Sequence, residues 1–341
     1  MEGQSTLSPL GMSKQLVRTA VTVRAPATTA NLGPAFDVLG MAMDLWMTVR
    51  VESASRFEMH VSGEGAADVA TDEGNLIVAC CYRALELAGF TKTNMPRLKF
   101  TVTSDVPFGC GCGSSSAAAI AGVLAGLSLS GHTMPVTGSE TLLQLIAELE
   151  GHPDNAAPAI YGGVQLGIHT AGRFSSHRVS TPSYIWCVLF VPKNKMKQNT
   201  HATRKLVPSE VSMKDAVHNM GRTALITLAF ATDKPELLRE CTDDRFHQPG
   251  RSSIFPHLNA TIEAAMRAGA AYAFLSGAGP TVCALVWGRR GDTVTMQRSE
   301  RRCDDVAAGM LEAATRCGVP GAIRITRPTD DGAHVVTNGK I

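Results

Sequence analysis

The feature that most limits how this chain can fold is a glycine-rich turn that leads directly into a helix-forming run. Glycines stand at the alternate positions 109, 111 and 113 and are followed by three serines and three alanines. The segment before the turn, "RLKFTVTSDVP", has the composition of a strand, and the alanine-rich segment after it predicts a helix from about Ser114 to Leu129. The serines therefore lie at the N-terminus of a helix.

Three interpretations of this turn are open from its residues. Glycine N–H groups, the unpaired N–H groups of a helix N-terminus and serine hydroxyls together suit a phosphate. A serine-capped helix after a tight turn is the plain alternative, although it leaves the alternation of glycines unexplained. Cys110 and Cys112 suggest redox chemistry, but they lack the spacing of thioredoxin-like pairs, and a role as small packing residues suits them better.

Two common nucleotide-binding motifs do not fit the turn. A Walker A loop would continue with Gly-Lys-Ser/Thr, and no lysine follows these glycines. A dinucleotide fingerprint that starts at Gly111 would need a glycine at position 116, which is Ser116. The turn therefore argues against a dinucleotide-dependent oxidoreductase.

Length, charge and cysteine usage exclude further classes of protein. A chain of 341 residues suits two domains. A net charge of +2 without a long basic run favours no nucleic-acid partner, and no apolar run is long enough to predict a membrane partner. The nine cysteines form no CxxC pair and several lie in apolar runs, which is typical of reduced thiols in a cytoplasmic protein.

The strand and helix signals predict an α+β fold with two units. The pattern restarts after about residue 175, so we expect a first domain over 19–172 and a second over 173–341. Residues 1–18 lack the apolar core of a secretory signal and are expected to form a disordered tail. A short organelle transit segment is the alternative for this tail.

A second polar cluster follows the helical segment "SETLLQLIAELEG", for which Ser139 suits an N-cap. Helical spacing places Glu150 within its apolar arc and Glu148 beyond the edge of that arc. An inward carboxylate beside a phosphate turn is a candidate Mg²⁺ ligand, although Gly151 could let the helix end fray. The apolar arc consists of Leu142, Leu145, Ile146 and Leu149.

Other polar residues lie in loops shaped by glycine and proline, and each has a plain alternative. Aspartate and asparagine are ordinary in turns, and isolated arginines are ordinary on surfaces. The late segment "LSGAGPTV" predicts either a plain hairpin or a loop that packs against the glycine turn. The polar loop residues are Asn31, Asp37, His152, Asp154, Asn155, Arg204 and Arg251.

Together these segments resemble the GHMP kinase superfamily and, within it, the homoserine kinase family. The superfamily motifs correspond to "NLGPAFDVLG", "VPFGCGCGSSSAAAIAG" and "LSGAGPTV", and "EGHPDNAAPAIYGG" and "HQPGR" resemble more specific motifs. The resemblance covers about residues 20–330. The chain departs from the pattern at Cys112, where leucine is usual, at Ala35, where glycine is usual, and at Gly250, where an aromatic residue is common.

The resemblance implies a fold and an activity. The fold is a two-domain GHMP kinase fold, with an N-terminal ATP-binding domain like ribosomal protein S5 domain 2 and a ferredoxin-like C-terminal domain. The activity is ATP-dependent phosphorylation of the side-chain hydroxyl of L-homoserine to O-phospho-L-homoserine, in threonine biosynthesis, with Mg²⁺ as a cofactor. A homodimer is also expected, since homodimers are frequent in the family.

The resemblance also implies roles for individual residues. Asp37, helped by Asn31, would face the substrate ammonium, and two arginines would hold its carboxylate. Asp154 is the candidate general base, with direct transfer as the alternative, because phosphoryl transfer depends mainly on positioning and charge neutralisation. The implied catalytic residues are His152, Asp154 and Asn155. The implied substrate-binding residues are Asn31, Asp37, His152, Thr200, Arg204 and Arg251. The implied ATP-binding residues are Asn75, Pro107, Gly109, Cys110, Gly111, Cys112, Gly113, Ser114, Ser115, Ser116 and Ala117, and the implied metal ligands are Glu150 and Ser115.

Two alternatives remain beside this interpretation. Another GHMP kinase, such as one acting on mevalonate, is disfavoured by the pairing of two arginines with Asp37, which suits an amino acid. A non-catalytic relative that senses a ligand is disfavoured by the intact loop serines and Glu150.

Overall fold

The computed structural model describes residues 15–132, 140–193, 200–288 and 302–336. The helices are α1 (Leu76–Leu87), α2 (Ser114–Leu129), α3 (Glu140–Glu150), α4 (Ala156–Tyr161), α5 (Thr200–Arg204), α6 (Met213–Thr232), α7 (Gln248–Ser252), α8 (Leu258–Arg267) and α9 (Cys303–Arg316), with a 3₁₀ helix over Pro235–Cys241. The strands are β1 (Ala20–Ala30), β2 (Leu39–Ser53), β3 (Glu58–Gly63), β4 (Leu98–Ser104), β5 (Val164–Thr170), β6 (Arg173–Val179), β7 (Ile185–Pro192), β8 (Tyr272–Leu275), β9 (Val282–Trp287), β10 (Gly321–Thr326) and β11 (His334–Val336).

The strands form two sheets. The first has the order β11-β1-β2-β4-β3, and β5 pairs with the beginning of β2 and with β6. Only β3 and β4 pair in parallel among the described strands of this sheet. The second sheet is antiparallel with the order β10-β7-β9-β8. The two sheets make up the α+β architecture that the sequence predicts.

Strand β1 is longer than its sequence suggests. The alternation of "AVTVRAP" predicts an end at Pro26, whereas the strand continues to Ala30. The pairing of β1 with β2 shifts register between Pro26 and Ala27, which accommodates the proline at a bulge. The extension positions the site, because Thr28 contacts the glycine turn, and Thr29 and Ala30 bond to the loop between β8 and β9.

Helices α1 and α2 pack closely against each other on the first sheet. A Cβ atom at Gly122 would overlap the carbonyl oxygen of Ile77, and one at Gly126 would overlap that of Cys81. Small residues therefore let α2 approach α1 at backbone distance, and almost the whole of α2 is buried. This explains why the helix after the glycine turn is rich in alanine: its packing holds its N-terminus in a fixed place.

Two predicted boundaries are wrong. The boundary after residue 172 falls in the turn between β5 and β6, and β6 pairs with β5 in the first sheet over its whole length. The polar composition of β6 gave no signal of this pairing. Residues 15–18 are also not a disordered tail, because the N–H groups of Val17 and Arg18 donate to the carbonyl of Leu129 (2.9 and 3.2 Å). Residues 1–14 lie outside the described part of the chain.

A second hydrophobic core lies between the second sheet and helices α8 and α9. It is made by Val188, Phe190, Leu258, Val282, Val306 and Met310, among others. Within the described ranges, no helix combines the length and the apolar composition that crossing a membrane requires.

Candidate active site

The three alternating glycines of the turn have different reasons to be glycine. All three have positive φ values, of 66° at Gly109, 88° at Gly111 and 69° at Gly113. A Cβ at Gly111 would overlap the carbonyl oxygen of Ser276, and one at Gly113 would overlap the hydroxyl of Thr28. At Gly109 a Cβ would meet no described atom within 4 Å. Packing therefore accounts for two glycines, and the third borders open space.

The late glycine loop packs against the turn. The hydroxyl of Ser276 donates to the carbonyl of Gly111 (2.7 Å), and the N–H of Thr281 donates to that of Cys110 (3.2 Å). The N–H of Gly277 also donates to the carbonyl of Ala30 at the end of β1 (3.1 Å). The segment fits both predictions for "LSGAGPTV": β8 and β9 form an antiparallel hairpin, and the loop that joins them packs against the turn. The second sheet thereby holds the turn against the first.

The N-terminus of α2 is not capped by a serine. Its N-cap is Gly113, in left-handed conformation, and no described side chain caps the helix. Ser114 instead accepts the N–H of Gly109 through its hydroxyl (3.2 Å), which closes the turn, and Ser115 is exposed. The prediction of a serine-capped helix is therefore wrong. The helix leaves its first N–H groups to be satisfied by solvent or by an anion.

The two cysteines of the turn point into the core. Cys112 is fully buried, and its thiol lies 3.9 Å from the hydroxyl of Thr281. Contact with Cys110 and burial raise the pKa of the Cys112 thiol well above its usual range, so it stays protonated. This favours the prediction of a packing role over a redox role, and it agrees with the leucine that is usual at position 112.

Glu150 points inward beside the turn, as its position in the apolar arc predicts. The hydroxyl of Ser116 donates to its Oε1, and its Oε2 is buried with no hydrogen-bond partner among the described residues. Burial raises the pKa of Glu150 to about 7, against the lowering effect of the Ser116 hydrogen bond and of His152. The helix does not fray there, since the N–H of Gly151 still bonds to Ala147 (2.7 Å).

These contacts fit a divalent cation. A buried carboxylate oxygen without a partner is costly, and a cation would both satisfy it and favour its charged form. Ser116, rather than the predicted Ser115, is the serine that touches Glu150. The metal-binding roles of Glu150 and Ser115 stay predictions.

The polar loop after Glu150 is drawn together by hydrogen bonds. His152 Nδ1 pairs with Asp154 Oδ1, and both side chains are largely buried. Although burial of the ring acts to lower it, the Asp154 carboxylate raises the pKa of His152 to about 9, with help from Asp37 and Glu150. Asn155 accepts the hydroxyl proton of Thr28 on β1 (2.8 Å). The loop thus places a charged His–Asp pair beside the glycine turn.

The N-terminal loop places Asp37 next to that pair. Asn31 and Asp37 both have positive φ, and the side-chain oxygen of Asn31 accepts the N–H of Asp37 (2.9 Å). The side-chain nitrogen of Asn31 donates to the carbonyl of Gly277 (3.0 Å). One side-chain atom from each of Asp37, His152 and Asp154 lies within 4.8 Å of the others. Residues far apart in sequence therefore form one polar cluster.

Both predicted arginines reach this cluster. Arg204 makes a bidentate ion pair with Asp37, at 2.5 Å from Nη2 to Oδ2 and 3.3 Å from Nη1 to Oδ1. Arg251 is buried, its Nη1 donates to the carbonyl of Gly277 (3.0 Å), and its Nε has no partner in the described chain. Both guanidinium groups lie over the ring of Phe36, at 5.4 and 5.7 Å from its centroid.

A buried polar network behind Arg251 was not predicted. His247 is fully buried, donates from Nε2 to the carbonyl of Gly33 (2.9 Å) and accepts Arg251 Nη1 at Nδ1 (2.8 Å). Burial lowers the pKa of His247 to about 4, so the ring is neutral, as these two bonds require. The carboxylate of Asp244 accepts the N–H groups of Phe246, His247 and Gln248. The histidine of "HQPGR" was the available signal.

The packing around Gly250 explains why this chain has glycine where an aromatic residue is common in the family. A Cβ at this position would overlap the carbonyl oxygen of Leu206, which lies just after α5. A larger residue would therefore push away the segment that carries Arg204. At another departure, Ala35 is buried at 1% exposure, which leaves little room for a larger side chain.

One further predicted residue, Asn75, stands apart from this cluster. Asn75 caps α1: its Oδ1 accepts the N–H of Ile77 (2.9 Å) and its Nδ2 donates to Ala70 (2.7 Å). Its contact with adenine stays a prediction. The side chain of Thr200 and the predicted N-cap Ser139 lie outside the described residues. Pro107 and Ala117, at the two ends of the turn, are buried.

Comparison with known proteins agrees with this geometry. The family description "GHMP kinases N terminal domain" matches residues 75–163, and "GHMP kinases C terminal" matches residues 228–294. The chain is 37% identical over 316 residues to the homoserine kinase of Desulfitobacterium hafniense, covering 93% of this chain and 100% of that protein. It is 36% identical over 321 residues to the homoserine kinase of Carboxydothermus hydrogenoformans, covering 94% and 98%. The crystal structure of homoserine kinase from Cytophaga hutchinsonii has the same fold, with a TM-score of 0.78 at 24% identity, covering 94% of this chain and 99% of that one.

Proposed function

The chain belongs to the homoserine kinase family of the GHMP kinases, and from this premise we propose how its residues perform the reaction. The enzyme transfers a phosphoryl group from ATP to the side-chain hydroxyl of L-homoserine and yields O-phospho-L-homoserine. The two-domain GHMP kinase fold predicted by the resemblance is confirmed. The observation that carries the mechanism is one polar cluster, with ammonium and carboxylate partners on one side and the glycine turn on the other.

The glycine turn and α2 bind the phosphates of ATP in this proposal. The uncapped N-terminus of α2 supplies N–H donors and a favourable dipole, and the open space at Gly109 admits the phosphates. Pro107, Cys110, Cys112 and Ala117 shape and support the turn. Asn75 holds the start of α1, where we place the adenine. This arrangement fixes the donor phosphate before transfer.

The far side of the cluster binds the amino acid. Asp37, held by Asn31, pairs with the substrate ammonium, and Arg204 and Arg251 pair with its carboxylate. Thr200, at the start of α5, contributes a hydroxyl to the same end of the substrate. These contacts aim the side-chain hydroxyl of homoserine towards the phosphate turn, and this orientation is the largest contribution that a kinase of this type makes.

Glu150 and the loop serines hold Mg²⁺ in this proposal. The unpartnered Oε2 of Glu150 and the hydroxyl of Ser116, which bonds to its Oε1, are oxygen donors of the type that Mg²⁺ prefers, and the predicted ligand Ser115 is the preceding residue. The ion, when bound, neutralises charge on the transferred phosphate.

Asp154 takes the proton of the substrate hydroxyl in this proposal. Its pairing with the protonated ring of His152 fixes its orientation, and Asn155 accepts a hydrogen bond from Thr28 at the entrance to the turn. Replacement of Asp154 by asparagine tests this role. We expect kcat to fall by at least ~100-fold with little change in the KM for homoserine. A variant that keeps most of its kcat would instead indicate direct transfer.

A substrate panel tests the proposed function. ADP formation in a coupled assay is measured with ATP and Mg²⁺ in the presence of L-homoserine, mevalonate or galactose. We expect turnover with homoserine alone among these alcohols. Turnover with mevalonate and none with homoserine would contradict the proposal, and it would favour another GHMP kinase.

We also propose a homodimer that forms through α6. Apolar residues at three- and four-residue spacing form one exposed face of this helix, where Met213 is 77% and Met220 is 60% exposed. Gly221 lies at the centre of this face, and a Cβ there would meet no described atom within 4 Å. Glycine within a helix costs about 1 kcal/mol relative to alanine, and close contact with a second helix would explain it.

An antiparallel pair of α6 helices suits this face. A two-fold axis near Gly221 and Ala224 would place Val217 against Leu228 of the partner subunit. Sedimentation should give a dimer for the parent chain and a monomer for Val217→Glu, while Leu311→Glu, at an exposed apolar position of α9, leaves the dimer unchanged. A monomeric parent chain would contradict the proposal.

A reducing compartment, the cytoplasm, is proposed as the location. All nine cysteines are free thiols. Titration of the denatured protein from its native source should give nine reactive thiols, and fewer would contradict this location.

A further inference from the structure

The ion pair between Asp37 and Arg204 occupies the place that the proposed function assigns to the two ends of the substrate. Asp37 is the partner of the ammonium and Arg204 is a partner of the carboxylate, yet in the structure they bind each other at 2.5 and 3.3 Å. The pair is bidentate, which is the strongest arrangement for arginine and a carboxylate. Substrate therefore has to replace an existing contact with two new ones.

We propose that this ion pair makes recognition of the two substrate charges cooperative, so that only a zwitterion is bound well. A ligand with both charges can separate Asp37 from Arg204 and pair with each of them. A ligand with one charge has two possible outcomes. If it separates Asp37 from Arg204, one of these two residues is left without a partner. If it does not separate them, the charge of the ligand itself stays unpaired. The inference rests on the proposed function, because it uses these residues as substrate partners.

The surroundings hold both partners in place when the pair opens. Asp37 is fixed through its N–H to Asn31 (2.9 Å), and Arg204 lies over the ring of Phe36. Arg251 lies over the same ring and is anchored by Gly277 and His247. The partners therefore have little freedom to find other contacts. Both side chains are partly exposed, Arg204 at 44% and Asp37 at 27%, so water lowers the cost of an unpaired charge, and the loss of the bidentate contact is the cost that remains.

The charges around the pair support the same conclusion. Asp37 lies close to Asp154 and His152, and Arg204 and Arg251 both lie near the ring of Phe36, close enough for their charges to interact. Separation of the pair without compensation would leave a carboxylate beside a second carboxylate and a guanidinium beside a second guanidinium. Like charges at close range oppose each other, so opening without a zwitterion is unfavourable.

A series of alcohols separates cooperative from independent recognition. 4-Hydroxybutanoate lacks the ammonium of homoserine, 3-aminopropan-1-ol lacks the carboxylate, and propan-1-ol lacks both. We expect kcat/KM for homoserine to exceed that for propan-1-ol by at least ~1,000-fold, since two charge-assisted contacts are gained. Both single-charge alcohols should stay within about 3-fold of propan-1-ol. The inference would be overturned if kcat/KM for each of the two single-charge alcohols exceeded that for propan-1-ol by more than about 10-fold.

Two charge-neutral variants give the reciprocal test. Asp37→Asn releases Arg204. In this variant, kcat/KM for 4-hydroxybutanoate should be at least ~10-fold higher than in the parent enzyme, while kcat/KM for 3-aminopropan-1-ol should not rise. Arg204→Gln releases Asp37 and should give the opposite pattern. Asp243→Asn is the matched control, because it removes the carboxylate of an exposed pair with Arg245 outside the site and should change neither value. No improvement in either variant would overturn the inference.

Different results would contradict the proposed function and the cooperative role of the ion pair. Absence of homoserine turnover in the parent enzyme would contradict the proposed function itself. Turnover of homoserine together with independent contributions from each charge would contradict only the cooperative role of the ion pair.

Discussion

Glu150 combines a cost to the fold with a proposed use in catalysis. Its Oε2 is buried without a hydrogen-bond partner in the described chain, and its carboxyl has a pKa raised to about 7 by burial. A group held in this way destabilises the folded protein until a cation satisfies it. In the proposed mechanism, Glu150 is therefore the residue at which the fold gives up stability for function.

Replacement of Glu150 by glutamine should separate these two effects. We expect kcat/KM to fall by ~100- to 1,000-fold, because a ligand that neutralises transferred charge is lost. The melting temperature should not fall, because a buried charge is removed as well. Glu148→Gln, at an exposed position of the same helix, should change neither quantity. A Glu150→Gln enzyme with normal turnover would show that the metal assignment is wrong.

His247 should make stability depend on pH. Its folded pKa of about 4 lies below the usual 6.5, so between these values the unfolded chain binds more protons than the folded one. The free energy of unfolding should therefore fall as the pH drops from 6.5 to 4, by about 3 kcal/mol from this residue. Urea unfolding at several pH values measures the slope.

A matched variant isolates this contribution. His247→Asn removes the titrating ring and keeps an acceptor for Arg251, so its slope between pH 4 and 6.5 should be shallower than that of the parent. Identical slopes would mean that His247 is not buried in its neutral form.

At the scale of elements, the glycine turn is held by packing from three directions. Strand β1 contributes Thr28, the late loop contributes Ser276, and helix α2 begins at its end. These contacts fix the shape of the turn. They also assign different tasks to glycines that look equivalent in the sequence.

Alanine substitutions should distinguish those glycines. Gly111→Ala should cost at least ~2 kcal/mol of stability, because positive φ and an overlap with Ser276 both oppose it. Gly109→Ala should cost only about 1 kcal/mol for its φ and should raise the KM for ATP, because its Cβ would enter the open space. Thermal unfolding measures the stability of each variant, and steady-state kinetics measure its KM for ATP. Equal losses of stability would contradict the distinction.

Strongly periodic elements were predictable from the sequence, and those set by distant partners were not. The segment predicted for α2 matches its observed bounds, since the glycine turn marks its start and an alanine-rich run follows. Strand β6 is polar and forms only because β5 offers an edge. Helix α4 contains Pro158, which its first turn tolerates because that position needs no helical N–H partner.

The candidate site was also only partly predictable from the sequence. Its motif residues could be named from the sequence, and the inward direction of Glu150 followed from periodicity. The choice of Ser116 over Ser115, and the ion pair of Asp37 with Arg204, depend on how separate elements meet in space. The predicted domain boundary failed for this reason too.

At the scale of the whole molecule, the site forms where the two sheets meet. Tyr272, on β8 of the second sheet, donates from its hydroxyl to the carbonyl of Leu32 in the loop that carries Asp37 (2.8 Å). Its ring is fully buried between the two parts. One side chain of the second sheet thus contacts the loop that carries Asp37, the proposed substrate loop.

Removal of that hydroxyl should therefore affect both stability and binding. Tyr272→Phe removes the hydrogen-bond donor to the carbonyl of Leu32, and we expect a loss of about 1–3 kcal/mol in the free energy of unfolding. The KM for homoserine should rise while the KM for ATP stays unchanged. An equal rise in both KM values would contradict a specific connection to the substrate loop.

The identity of the phosphorylated product tests the central claim most directly. L-Homoserine, ATP and Mg²⁺ are incubated with the enzyme, and the products are read by mass spectrometry and phosphorus NMR. The account predicts one phosphate monoester on the side-chain oxygen of homoserine and an equal amount of ADP. ADP without phosphorylated homoserine, or phosphate transferred to the carboxylate, would contradict it.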